Sequence, residues 1–440
     1  MRIAVIGTGY LGATHAACMA QIGHDVLGVD IDPGKVAKLQ SGEVPFFEPG
    51  IEDIVRDNLA SGRLRFTDSY VEAANFANVF FLTVGTPQID TGLGANLSYL
   101  NAAIDTLAPH LNRPALIVGK STVPVGTAER VARRMRSIAP AGDHLALAWN
   151  PEFLREGFAV RDTLHPDRIV VGVERPCEKR TAKTLAELYR PLSSDGDIPF
   201  LVTSLATAEL AKVAANAFLA TKISFINAIS EVCEAASADV TMLADAIGAD
   251  KRIGREFLDA GLGFGGGCLP KDIRAFMTRA DELGLDDVVT FLQVVDNINT
   301  RQRSRVIDAT RKICGSLIGA RIAVLGVAFK PNSDDIRDSP ALDVAGQLQL
   351  QGALVSVFDP KAMDNARHLF PTLNYSLSTL DACKGADVVL ILTEWKEFRQ
   401  LQPENLEAVI RKKRVIDARN CLEPQRWRAA GWSYRGFGRP

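Results

Sequence analysis

Cys268 is set in a stretch, "GLGFGGGCLPKD" (261–272), that places five glycines ahead of the thiol and a lysine and an aspartate just behind it. A free thiol ionises at a pKa of about 8.5, and cations or a helix N-terminus lower that value. Pro270 ahead of "KDIRAFM" suits the first turn of a helix, which would put Cys268 near a positive helix end with Lys271 close by. The glycines would let a substrate lie against the backbone. This is the setting of a nucleophile, and the competing reading is a small buried cysteine in a glycine loop.

A second group of chemical side chains lies on one helical pattern. From Leu205 to Ser230 the only charges are Glu209, Lys212 and Lys222. A helix apolar nearly all round is buried, and a buried lysine is rare unless paired. Lys212 and Asn216 are four apart and so share a face. Together they could offer an ammonium and an amide to a developing oxyanion; the alternative is that Lys212 snorkels to solvent. "NPEFLREG" places Glu152 and Glu156 just past a strand ending at Asn150, and "GKSTVPVG" places Ser121 and Thr122 at another strand end. Ligands of open α/β sheets sit beyond such carboxyl ends.

A third group reads as a cofactor cradle. "GTGYLG" is G-x-G-x-x-G at Gly7, Gly9 and Gly12, between a strand and a helix. The glycines allow a tight turn, close approach of a pyrophosphate and close helix packing. Asp30 ends the next strand, where an acid would bind a ribose 2′-hydroxyl, and a 2′-phosphate would meet both Asp30 and Asp32. NAD is therefore expected rather than NADP. An NAD site with a thiol nucleophile points to oxidation of an alcohol to an aldehyde, capture of the aldehyde as a thiohemiacetal, a second oxidation and thioester hydrolysis.

Bulk composition fits that class. The 440 residues are 47% hydrophobic and 23% charged, as in a globular protein of two or three domains. A net charge of −2 gives no basic field for nucleic acid. The 30 residues from Arg411 carry a local balance of 9 − 2 = +7, read as a solvated face. No apolar run approaches the roughly 18 residues that span a bilayer, and the N-terminus enters a strand pattern at once, so a cytoplasmic protein without membrane association is expected. The seven cysteines (18, 177, 233, 268, 314, 383 and 421) are scattered and odd in number. Neither a disulfide framework nor a zinc site is expected.

The elements that must position these groups follow from pattern. "RIAVIG", "DVLGVDID", "VFFLTV" (79–84), "ALIVGK" (115–120) and "ALAWN" (146–150) read as strands alternating with helices, which predicts a doubly wound parallel sheet. A long helix is expected from Leu205 through "EVCEAA", and another from near Asp287 towards Cys314. At Arg321 the chain starts again: "RIAVLGVAFK" echoes "RIAVIGTGYL", and "ALVSVFDP" echoes "DVLGVDID". The fold expected is α/β, with two Rossmann-like domains joined by a helical middle: 1–204 binding NAD, 205–315 helical, and 316–440 the second Rossmann-like domain. The second copy keeps only the first glycine and places Phe329, Lys330 and Pro331 in its loop, so it should not hold a dinucleotide in the usual way.

With "GTGYLG", "STVPVGT", "NPEFLREG", "HPDRIVVG", "AELAKVAANAFLA", "GFGGGCLPKD", "GVAFKPNSDDIRDSP" and "DARN" in order, essentially the whole chain resembles the UDP-glucose/GDP-mannose dehydrogenases. The resemblance implies an NAD-dependent, four-electron oxidation of a sugar C6 alcohol to a carboxylate. It makes Cys268 the nucleophile, Lys212 and Asn216 the oxyanion pair, Asp272 and Thr122 organisers of water, and Glu152 the acid/base of thioester hydrolysis. Glu156, Thr86, Thr122, Lys35 and Arg337 become cofactor contacts. Phe329, Lys330 and Arg419 become holders of the nucleotide sugar, with Glu152, Phe153, Lys212, Asn216, Phe264 and Gly265 as further substrate contacts. Arg252 would reach a neighbouring subunit's substrate, which implies a homodimer, with a higher oligomer open. "HPDRIVVG" points to UDP-glucose rather than GDP-mannose. Gly267, where relatives often carry a larger side chain, predicts a looser pocket and a less strict choice of sugar. The rival readings are another nucleotide-sugar 6-dehydrogenase, a two-electron β-hydroxyacid-type dehydrogenase and a non-catalytic nucleotide-sugar binder.

Overall fold

The computed structural model describes residues 1–174, 178–195 and 198–440; Cys177 lies outside them. Eight strands form the first sheet: β1 (Arg2–Ile6), β2 (Asp25–Val29), β3 (Leu64–Thr67), β4 (Val79–Leu82), β5 (Ala115–Gly119), β6 (Leu145–Trp149), β7 (Ile169–Val173) and β8 (Phe200–Ser204). Their order is β3-β2-β1-β4-β5-β6-β7-β8. Strands β4 to β7 are buried along their whole length, as apolar runs in a sheet covered on both faces must be. The two faces carry separate cores, one around Phe80, Ile117 and Trp149, the other around Met19, Phe81 and Leu185.

One pairing departs from the expected parallel sheet: β6 and β7 are antiparallel. Their connection contains only the six-residue helix Ala159–Leu164. At about 1.5 Å per residue that helix spans roughly half the length of a five-residue strand. The rest of the connection is the irregular loop that begins at Asn150 and holds Glu152 and Glu156.

The second sheet contains β9 (Arg321–Leu325), β10 (Leu354–Phe358), β11 (Asn374–Tyr375), β12 (Val388–Ile391), β13 (Arg414–Asp417) and β14 (Ser433–Gly436), in the order β11-β10-β9-β12-β13-β14 and parallel throughout. This is the order of the first six strands repeated, so the two halves are copies of one plan. Gly7 and Gly326 end their first strands with φ of 91° and 94°. Asp30 and Asp359 follow the second strands, and each accepts from the backbone just after its glycine, Thr8 N at 2.8 Å and Val327 N at 2.8 Å.

Contacts divide the described chain into two compact units, Met1–Ala215 with Arg274–Glu282, and Asn216–Ile273 with Leu283–Pro440. The helices of the middle are Leu205–Ala236, Val240–Gly248, Leu269–Glu282 and Asp286–Cys314. Leu205–Ala236 is long and apolar enough, by length and composition, to cross a membrane, unlike what its scattered charges led us to expect. Its most apolar window is 44% buried, and its charged residues Glu209 and Lys212 are themselves buried.

Candidate active site

In the first unit, three features of the glycine loop suit a dinucleotide. Gly7 has no room for a side chain, since a Cβ would lie 2.8 Å from Val84. Gly12 packs its helix so tightly that a Cβ would lie 1.8 Å from the Gly7 carbonyl oxygen. Gly9, the N-cap of the helix Tyr10–Gln21, has nothing within 4 Å of the same position, which leaves the backbone open to a ligand at a helix end with no acidic residue in its first turn. Beyond β2, Asp30 accepts from Thr8 N, Thr8 Oγ1 and, at 3.0 Å, Lys35 Nζ. Burial raises the Asp30 pKa, but the Lys35 ammonium and the two backbone amides outweigh it and hold the carboxyl below its usual range. Asp30 and Lys35 therefore meet as one charged pair at the ribose position. These residues fit NAD.

The copy in the second unit is built differently. Asp359 gives its oxygens to Val327 N, Ala328 N, Lys361 N, Ala362 N and the Trp395 indole. Its carboxylate is committed within the protein, whereas Asp30 keeps a partly exposed lysine as partner. Around it, Arg419 donates to the Leu392, Gly263 and Phe329 carbonyls and pairs with Glu394 at 3.2 Å. Lys330 Nζ lies 5.4 Å from the centre of the Phe329 ring. Arg419, Phe329 and Lys330 are thus brought together.

Past the ends of β5 and β6, Lys212 is buried and pairs with Glu152 at 2.9 Å; it does not snorkel to solvent. The other Glu152 oxygen accepts from Leu154 N at 2.8 Å. Two cations lie near the Phe153 ring, Arg168 at 3.9 Å and Lys212 at 5.8 Å from its centre. Arg168 is the arginine of "HPDRIVVG", so that motif acts on the loop carrying Glu152. Thr86 donates to the Thr122 carbonyl at 2.7 Å, and Ser121 to the Val84 carbonyl at 2.6 Å, which locks the two loops together. Glu156 is buried, and its charge acts on Tyr10 of the glycine loop.

Within the second unit, Asp272 N donates to Cys268 O at 2.9 Å, so Cys268 stands at the first turn of Leu269–Glu282. Asn216 Nδ2 donates to Asp272 Oδ2 at 2.7 Å, and Lys271 Nζ pairs with Asp272 Oδ1 at 2.5 Å. The side chains that the glycines lack would meet the chain itself. A Cβ on Gly261 would lie 2.5 Å from Ala418 O, on Gly263 2.3 Å from Asn299 Oδ1, and on Gly265 2.3 Å from Asp338 O. On Gly266 it would lie 2.6 Å from the Phe329 ring, and on Gly267 2.3 Å from the Arg337 guanidinium carbon. The space beside Gly267 is therefore filled by Arg337, which is itself held by Asp335 at 2.7 Å. Arg252 projects into solvent and pairs with Asp250 at 2.6 Å. The five other described cysteines (18, 233, 314, 383 and 421) have thiols pushed up by burial. Among the described residues no group of His, Cys, Asp and Glu is placed to hold a metal ion.

Sequence reasoning missed two supports of this site. Glu48 accepts from Tyr10 Oη, Gly157 N and Val160 N, tying the glycine loop to the Glu156 loop. Lys120 is buried and donates to Asn150 Oδ1 at 3.0 Å. Both are polar side chains inside otherwise ordinary loops, and only their burial marks them.

Residues 1–193 match the NAD binding domain of the UDP-glucose/GDP-mannose dehydrogenase family, residues 206–301 its central domain and residues 323–424 its UDP binding domain. A UDP-glucose 6-dehydrogenase of Rhizobium meliloti is 43% identical over 442 residues, covering 100% of both chains. One from Bacillus subtilis is 40% identical over 100% of this chain and 93% of its own. The solved structure of a UDP-glucose dehydrogenase from Pyrobaculum islandicum superposes with a TM-score of 0.91 at 36% identity, covering 100% of this chain and 98% of that one.

Proposed function

This chain belongs to the UDP-glucose/GDP-mannose dehydrogenase family, and we propose that it oxidises the C6 alcohol of UDP-glucose to the carboxylate, giving UDP-glucuronate. One observation carries the reading: a complete NAD cradle and a buried Lys212–Glu152 pair occur in one chain with Cys268, a thiol outside any disulfide at the first turn of a helix. Full-length similarity to UDP-glucose 6-dehydrogenases supports the choice of sugar.

Gly7, Gly9, Gly12, Asp30 and Lys35 would hold NAD, with Thr86, Thr122, Glu156 and Arg337 as further contacts, and the bound cofactor would supply a hydride acceptor for each of two oxidations. The protein's part is to manage protons, oxyanions and the covalent step. Loss of the first hydride and of the hydroxyl proton leaves an aldehyde. The Cys268 S–H bond breaks with its proton passing to solvent, the sulfur adds to the carbonyl carbon, and the oxygen becomes an oxyanion that Lys212 and Asn216 are suited to stabilise. A second hydride leaves from that carbon and a thioester remains. Water, activated by Glu152 and organised by Asp272 and Thr122, then breaks the C–S bond, returning the thiol and releasing the carboxylate. A pure binder would have no use for the thiol, and a two-electron dehydrogenase would stop at the aldehyde.

The parts of the chain divide the work: 1–204 binds NAD, 205–315 dimerises, and 316–440 holds the UDP-sugar through Phe329, Lys330 and Arg419, with Phe264 and Gly265 along the sugar and Arg252 reaching the neighbouring subunit. We place the enzyme in the cytoplasm as a homodimer. Stoichiometry tests the reading: two NADH and one carboxylate are expected per UDP-glucose, and neither from GDP-mannose. Cys268→Ser should bind NAD as the parent does while uronate formation falls by about a thousandfold or more, as for loss of a covalent nucleophile. A parent that leaves UDP-glucose untouched, or a serine variant making uronate at the parent rate, would overturn it.

A further inference from the structure

Behind the Glu152–Lys212 pair lies a second ammonium that the chemistry above does not use. Lys120 follows β5 directly and is buried, with its Nζ 3.0 Å from Asn150 Oδ1. That oxygen also accepts from Tyr189 Oη at 2.5 Å, while Asn150 Nδ2 donates to Val170 O at 2.8 Å. Asn150 is thereby fixed at the end of β6, two residues before Glu152. Lys120 also lies 5.9 Å from the centre of the Tyr189 ring.

The ionisable groups that face Lys120 come from four places. Glu152 is on the loop after β6, Lys212 on Leu205–Ala236, His15 on the glycine-loop helix and Tyr189 at the end of Glu178–Tyr189. Burial holds His15 neutral and pushes the Tyr189 phenol up, so neither supplies a charge. Of the charged groups that act on Lys120, Glu152 is a carboxylate and Lys212 a second ammonium, and both lysines are buried. In a poorly screened interior these charges act on one another far more strongly than in water.

We propose that Lys120 is a positioning residue that orients Asn150 and lends its charge, through the Glu152–Lys212 pair, to the oxyanion formed at the reacting carbon. The inference rests on the function proposed above and deepens it. A buried ammonium at this place fits a substrate that becomes negative as it reacts: the alkoxide of the alcohol step or the oxyanion of the thiohemiacetal. Burial, then the Lys212 charge, push the Lys120 ammonium down to about 8 against the opposing pull of Glu152. Without an anion the proton is lost near that pH, and a developing oxyanion favours its retention.

Two substitutions separate charge from shape. Lys120→Arg keeps the charge at every working pH, while Lys120→Gln keeps a donor for Asn150 and removes the charge. Lys120→Arg should hold kcat for UDP-glucose within about fivefold of the parent and extend activity above pH 8, where the parent declines. Lys120→Gln should lose kcat by about tenfold or more, with KM for NAD little changed. Equal activity in Lys120→Gln and parent would overturn the charge role, as would an alkaline limb that stays in place in Lys120→Arg.

A second measurement needs no substrate, so it distinguishes failure here from failure of the proposed function. The unfolded lysine titrates near 10.4. Between about pH 8 and 10 the unfolded chain therefore binds more protons than the fold at this position, and stability from the site rises with pH. The Tm of the parent, relative to Lys120→Met, should climb across that window. A flat difference would show that Lys120 is not held as a depressed ammonium, whatever the enzyme turns over.

Discussion

His15 shows what a single buried side chain costs this protein. It sits on the glycine-loop helix, fully buried, with its ring edge-on to Phe81 at 4.4 Å. Among the described residues neither of its ring nitrogens has a hydrogen-bond partner. Burial, and then the charges of Lys120 and His24, hold its pKa well below the usual imidazole value. The unfolded chain takes up a proton here near pH 6.5 and the fold does not. Stability from the site is therefore full above about pH 6.5 and falls with decreasing pH, by up to about 1.4 kcal/mol per unit. His24, also pushed down by burial, adds in the same direction. His15→Phe retains a ring against Phe81 and removes the titration, so it should lose less Tm than the parent between pH 7.5 and 5.5. Parallel losses would show that His15 has no part in acid sensitivity. Nothing in "GATHAACMA" separates this histidine from an exposed one, because the burial of its helix face depends on strands far along the chain. Lys212 was legible for the opposite reason: its own helix has almost no other charge, so local pattern already implied burial and a partner.

At the scale of the element, the loop 261–267 is a backbone path pressed between parts of its own unit, and its glycines differ in how strictly they are required. At Gly265 an added Cβ meets a backbone carbonyl, that of Asp338, which cannot turn aside. At Gly267 it meets the far end of the Arg337 side chain, which is 63% exposed and can shift outward. Gly265→Ala should therefore cost about 1–3 kcal/mol, the usual penalty of overpacking. Gly267→Ala should change stability by about 0.5 kcal/mol or less, yet move Arg337 and raise KM for NAD if Arg337 is a cofactor contact. Thermal melts and NADH assays on both variants decide this, and a Gly267→Ala that melts as early as Gly265→Ala would contradict it. The sequence marked the loop as permissive but could not say what fills it. Its neighbours Ala418, Asn299, Asp338, Phe329 and Arg337 come from segments that only the tertiary fold brings near. The repeat, by contrast, was plain from "RIAVIG" and "RIAVLG", since strand order follows from alternation of strand and helix. The antiparallel β6–β7 pair was not, because it depends on how much chain the Glu152 loop consumes.

For the whole molecule, the surface of the long middle helices argues for a second copy of the chain. Leu205–Ala236 read as apolar nearly all round and hence buried, but the structure leaves Phe218, Phe225 and Val232 at 66%, 50% and 60% exposure. They are spaced seven apart, so they line one stripe of the helix. Phe291 and Val294, on Asp286–Cys314, are likewise half exposed. Apolar side chains in a continuous row cost free energy in water, roughly 1.5–3 kcal/mol for each large one that could be buried. A stripe that the fold does not cover is suited to a two-fold partner, in which each substitution acts twice because both subunits present the same patch. Phe225→Glu should therefore shift the protein from dimer to monomer in light scattering at micromolar concentration, while the first unit, which contains the NAD cradle, still binds the cofactor. Phe225→Leu, nearly as apolar, should remain dimeric. If Arg252 serves a neighbour's substrate, the monomeric variant should also lose turnover more than it loses NAD binding, and adding back Arg252→Ala subunits should restore none of it. A parent that runs as a monomer, or a Phe225→Glu variant that stays dimeric, would place the interface elsewhere and leave the apolar stripe without this explanation.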